Sequence, residues 1–341
     1  MKTINPLETK NWNDMVLETG CYSFFHSANW ARTLHESYGF NPVYFMAQEK
    51  QRVTALLPVM EIRSFLSGNR GVSLPFSDYC ELIGRGEPLR GVVQEAIGYG
   101  KSAGWKYVEL RGDSSMFAGN PCFCFHYLHT TDISEGPEKT YAALRDSTKR
   151  NIKKAVKEGV TVTRGTSPLA LSEFCRLNSI TRRQHGIPPQ PQAFFERLHE
   201  NVIAQGMGRV YLAYHGGTCI AGAVFVHFGD RALYKYGASD PSYQHLRGNN
   251  LVMWEAMRSY SEEGFSSFSF GRTEPGNEGL RQFKNGWGSR EETVNYYRFN
   301  LQREVFETDS GSAGAGCTRI MARLPIPVLE TIGKYLYRHV G

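Results

Sequence analysis

The chain of 341 residues has no uninterrupted apolar run of about 18 residues, the length that a membrane-crossing helix needs. No basic-then-apolar leader opens it, so neither a span nor export by the usual route is expected. Charge of one sign is also in short supply. The 39 basic residues are nearly balanced by 33 acidic ones, and a net +6 is weak for a generic nucleic-acid binder. Ten histidines are scattered without a His-Glu-x-x-His pattern, and seven cysteines fall at no metal-ligand spacing. No metal site is expected, and the thiols read as free in a reducing compartment. Cys122 and Cys124 share one face of a strand pattern, which reads as packing. A Gly-x-Ser-x-Gly elbow and an evident Cys/His pair are missing too, so no motif for a covalent enzyme nucleophile is present.

With 41% hydrophobic and 13% aromatic residues the chain can bury ample core, and its length suggests two domains of roughly 100–200 residues each. Residues to about Phe40 show helical spacing of Trp12, Met15, Val16, Phe24, Phe25, Trp30 and Leu34, with Gly39 as a stop. Val43–Ala47 and Val53–Ile62 predict an antiparallel hairpin, with Pro58 marking an edge or a bulge. A helix over Pro88–Ala103 and strands over Trp105–Leu110 and Asn120–Asp132 follow. Ser134-Glu-Gly-Pro137 reads as a boundary. Beyond it a strongly basic helix is predicted over Glu138–Glu158, closed by Gly159. The second half repeats the order of two strands, a third, a helix and a strand. That repeat predicts an α/β protein with mixed sheets, built of two similar domains with a cleft between them.

The most organised stretch runs from Ala232 to Trp287. A strand over Ala232–Asp240 enters the polar turn His245-Leu-Arg-Gly248-Asn-Asn250, and a helix pattern starts at once, with Asn249 or Asn250 where an N-cap belongs. Gly248 is the residue expected to let the backbone bend or approach a ligand. The alternating strand Phe265–Phe270 comes next, then Gly271–Gly279 as turns, then Leu280-Arg-Gln-Phe-Lys-Asn-Gly-Trp287. A strand leading through such a turn onto a helix N-terminus aims backbone N–H groups at a phosphate or another anion.

This order and spacing resemble the donor-binding core of GNAT N-acyltransferases, where a Gln/Arg-x-x-Gly-x-Gly/Ala turn holds the pyrophosphate of acyl-CoA; here the central Gly248 is the matching residue. Gly279-Leu-Arg-Gln-Phe-Lys-Asn-Gly-Trp-Gly288 resembles the end of the Fem-type aminoacyltransferases, which are built from two GNAT-like domains. The segment Ser147–Ala155 followed by Gly159 resembles the helix that opens their second domain. The resemblance implies two tandem GNAT-like domains, residues 1–134 and 135–308, with 309–341 as a Gly/Ser linker and an amphipathic C-terminal helix. It also implies transfer of an aminoacyl or acyl group to an amine of a cell-envelope or polysaccharide precursor. The donor would be aminoacyl-tRNA, or acyl-CoA or an acyl carrier protein, as co-substrate, with no tightly bound cofactor and no metal.

Transfer to an amine needs an acceptor for its proton and a charge to meet the developing oxyanion. Phe283-Lys284 matches the family's Phe-Lys pair, which implies catalytic placement for both and the electrophilic role for Lys284. As a solvated lysine it should be removable without harm to the fold; the alternative is a surface lysine beside a core phenylalanine. Asp78 in Pro75-Phe-Ser-Asp-Tyr79 resembles the family's acidic residue and is the proton-acceptor candidate, against a reading as a turn cap. Arg145, Lys149 and Arg150 cluster on the basic helix as phosphate ligands or as a solvated face. Arg247, Gly248 and Asn249 belong to the donor turn. Arg272 follows a strand end, where it binds ligand or pairs with Glu274 or Glu278, and Tyr236 supplies a hydroxyl or packs in the core.

Three other functions stay open at this point: a CoA-dependent acetyltransferase acting on a small amine, an inactive scaffold at the membrane face, and a nucleic-acid-binding module. The tail carries Leu329, Ile332, Leu336 and Val340 at helical spacing among basic residues. It is expected either to lie on the inner face of the membrane or to dock on its own domain, within a cytoplasmic protein.

Overall fold

Strands form where β-branched and aromatic residues alternate, and helices where a cap precedes an apolar stripe. The computed structural model describes residues 1–112, 115–309 and 315–341. The chain divides into two units, the first comprising Met1–His126, Thr293–Ser312 and Tyr335–Gly341, the second Tyr127–Glu292 and Ala313–Lys334.

In the first unit the Ser27 hydroxyl caps the helix Ala28–Tyr38 by accepting from the Trp30 N–H, and Gly39 stops it at φ 73°. The hairpin Tyr44–Glu49 with Arg52–Leu57 forms as expected. Pro58 does more than bulge the second run, because it cuts it: Met60–Ile62 becomes a separate strand that pairs with Arg70–Val72. Arg70–Val72 then lies parallel to Tyr107–Arg111, the two being joined through the helix Gly86–Ser102. Tyr107–Arg111 also pairs antiparallel with Tyr296–Asn300, in register Arg298↔Glu109. That register brings two cations to one buried carboxylate. Arg111 Nε and Nη2 donate to Glu109 Oε1 at 2.9 and 2.8 Å, and Arg298 Nη2 donates to Oε2 at 2.7 Å. Burial pushes the Glu109 pKa up, but the two guanidinium groups win and hold it below the ordinary glutamate value.

The second unit repeats this plan. Thr161–Gly165, Gly208–His215, Thr218–Phe228 and Arg231–Ser239 pair antiparallel in that order, and Ser267–Thr273 joins the last of them in parallel. Tyr127–Leu128 and Thr130–Asp132 flank Ser267–Thr273 antiparallel. The crossover helix Gly248–Glu262 is apolar nearly all round, burying Leu251, Val252, Met253, Trp254, Ala256, Met257 and Tyr260. It is covered by the sheet on one side and by the helix Asp146–Lys157 on another. Phe225, Phe268 and Trp287 are fully buried in the same core.

Three local expectations change. The single basic helix is two helices, Pro137–Ala143 and Asp146–Lys157, because Leu144 and Arg145 are extended. Tertiary bonds cause the break: the Arg145 N–H and the Thr148 hydroxyl both donate to the Gly286 carbonyl, at 3.0 Å each. The helix after the polar turn begins at Gly248, with Arg247 rather than an asparagine as its cap residue. The tail forms two helices, Ala315–Met321 and Ile326–Leu336. Leu329 of the second is fully buried, and Glu330 accepts from the Ser179 hydroxyl at 2.9 Å. Leu336 and Val340 stay exposed, and Tyr337 packs on Tyr38 and Phe76. Of the linker read over Asp309–Gly316, residues 310–314 lie outside the described residues. Among the described residues no helix is long and apolar enough to cross a membrane.

Candidate functional site

The strands Arg231–Ser239 and Ser267–Thr273 pair only over Arg231–Leu233 and Ser267–Ser269. Past that point they part, and a bulge at Lys235 marks the divergence: Val224 and Phe225 face Tyr236 and Tyr234, leaving Lys235 as the extra residue.

Just beyond the end of Arg231–Ser239 a cavity of about 190 Å³ opens at the start of Gly248–Glu262, and Ser239, Asp240, Arg247, Gly248, Asn249 and Phe283 line it. Arg247 makes the bend, at φ 62°, and the expectation that Gly248 would make it is corrected. Gly248 serves close packing instead, since a Cβ there would sit 3.2 Å from Ile220 Cδ1 and 3.3 Å from Ala221 Cβ. Asn249 Nδ2 donates to Ser239 Oγ at 3.1 Å, which ties the first helical turn to the strand end. The first N–H groups of a helix have no intrahelical acceptor and carry its positive dipole end, and the exposed Arg247 adds a full charge. One carboxylate is also present, that of Asp240, whose Oδ1 accepts from the Ser242 N–H. The balance favours a small anionic or strongly polar group.

Phe283 enters this lining from the helix Glu278–Asn285, which Asn277 caps by accepting from the Leu280 N–H at 3.1 Å. Phe283 is half-buried and meets Trp287 edge-on at 5.8 Å. Lys284, the next residue, turns inward. It is 2% exposed, and its Nζ donates to the carbonyls of Gly271 and Arg272 at 2.9 and 2.8 Å. The expected solvated lysine is therefore corrected, and so is the alternative of a surface lysine beside a core phenylalanine, because the burial runs the other way. Two glycines allow this docking: a Cβ on Gly286 would lie 2.6 Å from Thr148 Oγ1, and Gly288, at φ 68°, packs on Ala143.

Sequence reasoning missed a polar group beside Lys284. His129 is fully buried, and its Nε2 hydrogen-bonds Glu291 Oε2 at 3.0 Å. Burial, and then the Lys284 ammonium, hold the His129 pKa below its ordinary value against the pull of Glu291. Arg281 grips Glu291 with two bonds of 2.6 and 2.5 Å, and Asn285 adds a third of 3.1 Å. The Arg281 bond is the main cause that lowers the Glu291 pKa to about 2. Arg281 also stacks on Tyr127 at 4.0 Å. No spacing in the sequence links His129 to Glu291.

The remaining candidates sit elsewhere. Arg145, Lys149, Arg150, Tyr236 and Arg272 do not line the cavity. Arg145 and Arg150 are exposed, and Lys149 Nζ donates to the Ala142 carbonyl at 2.8 Å. Tyr236 is buried against Phe194 and Phe195, and Arg272 pairs with Glu274 at 3.7 Å. Asp78 belongs to the first unit, on a strained loop: Leu74 and Phe76 hold φ 53° and 59°, values costly for bulky residues. Arg111 Nη1 and the Ser77 hydroxyl both donate to the Leu74 carbonyl, at 3.2 and 2.6 Å, and Tyr296 donates to the Asp78 carbonyl at 2.7 Å. A second cavity in the second unit, about 1080 Å³, lies among Pro168–Gln184, Gln192–Leu198 and Ile326–Leu336. Its wall mixes Glu196, Glu200 and Glu330 with Arg176 and Lys334, so it selects no charge sign.

Comparison with known proteins adds four findings. Residues 142–285 match the family described as acetyltransferase (GNAT) domain. A curated relative, UDP-N-acetylmuramoylpentapeptide-lysine N(6)-alanyltransferase of Weissella viridescens, is 30% identical over 110 residues. That match spans 32% of this chain and 32% of the relative, so about a third of the relative's length is covered. Among solved structures, FemX aligns over 86% of this chain and 97% of its own, with a TM-score of 0.69 at 14% identity. A tandem GNAT protein from the clavulanic acid biosynthesis pathway aligns over 88% and 97%, with a TM-score of 0.56 at 10% identity. The chain thus has the tandem GNAT-like fold seen in FemX, similarity in sequence over a third of its length to an N(6)-alanyltransferase, and a GNAT acetyltransferase match over residues 142–285, where the cavity and Phe283-Lys284 lie.

Proposed function

We propose that the protein is an N-acyltransferase that moves an aminoacyl group from aminoacyl-tRNA to an amine of a cell-envelope precursor. The observation that carries this reading is the cavity at the start of Gly248–Glu262, with Phe283 in its wall and Lys284 behind it, inside the segment that matches the GNAT domain. The helix N-terminus with Arg247 offers positive potential to the donor's phosphate. The neutral amine attacks the donor's carbonyl carbon. The C–O bond to the tRNA ribose then breaks, the amine gives up a proton, and the departing ribose oxygen takes one to become a hydroxyl. Lys284 keeps the Gly271–Arg272 end of its strand in place and supplies fixed positive charge toward the developing oxyanion. Phe283 packs against the bound acyl group. Arg145 and Arg150, with Lys149 and Arg272, are assigned contacts farther along the donor or acceptor.

An acyl-CoA donor is the second reading, favoured by the same helix N-terminus, since a pyrophosphate suits it as well as a nucleic-acid phosphate does. With such a donor a C–S bond breaks instead. The protein is assigned to the cytoplasm, where both donors occur. The test supplies purified protein with aminoacyl-tRNA or acetyl-CoA and with a lysine-bearing UDP-linked muropeptide. Transfer from aminoacyl-tRNA is expected, and Asn249→Asp should raise the KM for donor roughly fivefold by placing an anion at the helix start. Transfer from acetyl-CoA alone would replace the first reading with the second, and transfer from neither would remove both.

A further inference from the structure

The loop between the strands Met60–Ile62 and Arg70–Val72 turns its polar groups inward and its apolar groups out. Ser64 Oγ accepts from the N–H groups of Leu66 and Ser67 at 3.2 and 3.0 Å and from the Ser67 hydroxyl at 2.9 Å. It also lies 3.0 Å from His339 Nδ1. Arg70, itself buried, donates to Ser67 Oγ and to the His339 carbonyl at 2.7 and 2.9 Å. Phe65 and Leu66 are left 87% and 65% exposed on this tied-down tip. Packing does not explain two adjacent large apolar side chains held outward by their own loop. The C-terminal residues beside the tip extend the pattern, with Tyr335 and Val340 64% and 46% exposed and the His339 ring 4.7 Å from that of Phe65.

The exposed charged side chains beside the tip are cationic. The Arg63 side chain is 74% exposed, Lys106 Nζ approaches the Ser67 carbonyl at 3.4 Å, and Arg338 is exposed next to His339. Residues 62–70 and 335–341 contain no carboxylate side chain, and the Glu61 carboxylate that Arg63 touches is 1% exposed. A narrow apolar point ringed by cations suits insertion between lipid headgroups better than it suits a flat protein face, which would need roughly 1,000 Å² of matched surface. We propose that the Phe65–Leu66 tip docks the first unit on an anionic lipid surface, with Arg63, Lys106 and Arg338 reaching the headgroups. This inference does not depend on the acyl-transfer reading.

The test is sedimentation of the full chain with phosphatidylcholine vesicles, with and without about a third phosphatidylglycerol, at low salt. Binding to the anionic vesicles only is expected. Phe65→Ser with Leu66→Ser should weaken it at least tenfold, and Lys106→Glu or Arg338→Glu roughly fivefold each. Leu169→Ser, at a leucine 75% exposed in the second unit, should leave binding unchanged. Because Phe65 and Leu66 are already exposed, the tip variant should keep the parent Tm, so a loss of binding cannot be blamed on unfolding. The proposal is overturned if the parent ignores anionic vesicles, or if the tip variant binds as the parent does. It is equally overturned if the parent is a dimer that the tip variant dissolves, which would make the tip a contact between copies.

Discussion

Lys284→Met offers the sharpest test of the site, because it keeps most of the stem and removes only the ammonium. Two carbonyls, of Gly271 and Arg272, then lose a charged donor at a position where Lys284 is buried. Each hydrogen bond to a charged group contributes about 1.5–3 kcal/mol, so the pair is worth roughly 3–6 kcal/mol. Relief from burying an ammonium offsets part of this, leaving a net cost of about 3 kcal/mol. At about 2–4 °C per kcal/mol for a unit of this size, Tm should fall by roughly 6–12 °C. Tryptophan fluorescence is a suitable readout, since Trp287 is fully buried three residues away. Lys284→Arg should not recover the parent Tm, because the wider, planar guanidinium cannot take the ammonium's place between carbonyls at 2.9 and 2.8 Å. A Lys284→Met protein that melts within about 2 °C of the parent would refute the buried, carbonyl-bound lysine. Transfer activity measured well below the new Tm separates the two roles: loss there belongs to chemistry, and loss that tracks melting belongs to structure.

Gly286→Ala should cost about 1–3 kcal/mol, since its Cβ would meet Thr148 Oγ1 at 2.6 Å, and Thr148→Ala on that background should recover part of it in a denaturant double-mutant cycle. A Gly286→Ala protein as stable as the parent would contradict the close approach. His227 predicts a pH dependence. It sits 3.1 Å from the Tyr260 hydroxyl and 2.7 Å from the Gly206 carbonyl, and burial first, then Arg209, lower its pKa from 6.5 to about 4. The folded state thus holds His227 neutral where the unfolded chain would protonate it, so its contribution is complete above about pH 6.5 and is lost as pH falls toward about 4. That contribution is on the order of 3 kcal/mol. Unfolding free energies of the parent and of His227→Gln, measured from pH 7 to 4, should converge on acidification; parallel curves would sink the argument.

Much of this fold could be read from patterns that act locally. Gly39 stops a helix at the expected place, and the parallel strand pair with its crossover helix follows from a strand, a polar turn and an apolar helix in sequence. What escaped was set by contacts distant along the chain. The basic helix carries no Gly or Pro at Leu144–Arg145, and it breaks there because the Gly286 carbonyl, about 140 residues away, claims the Arg145 N–H and the Thr148 hydroxyl. Reading the glycine of Arg247-Gly248 as the bend was reasonable on conformational freedom, but the packing of Gly248 on Ile220 and Ala221 needed the space more than the angle. For Phe283-Lys284 the signal was available: Asn277 followed by Glu278 marks a helix start. Neighbouring helical residues point about 100° apart, so one of the pair had to turn from the cavity.

The register Arg298↔Glu109 also has a bearing on how the molecule is made. Glu109 is finished within the first third of synthesis, but Arg298 follows only after the whole stretch from Tyr127 to Glu292 has left the ribosome. At about 5–20 residues per second the nascent first unit waits roughly 10–40 s for that strand. During this interval the edge of Tyr107–Arg111 is open and its buried carboxylate has Arg111 as its remaining ion-pair partner. A chaperone that shields exposed strand edges would act on this protein in that window, and any pause in translation between Glu109 and Arg298 lengthens the exposure.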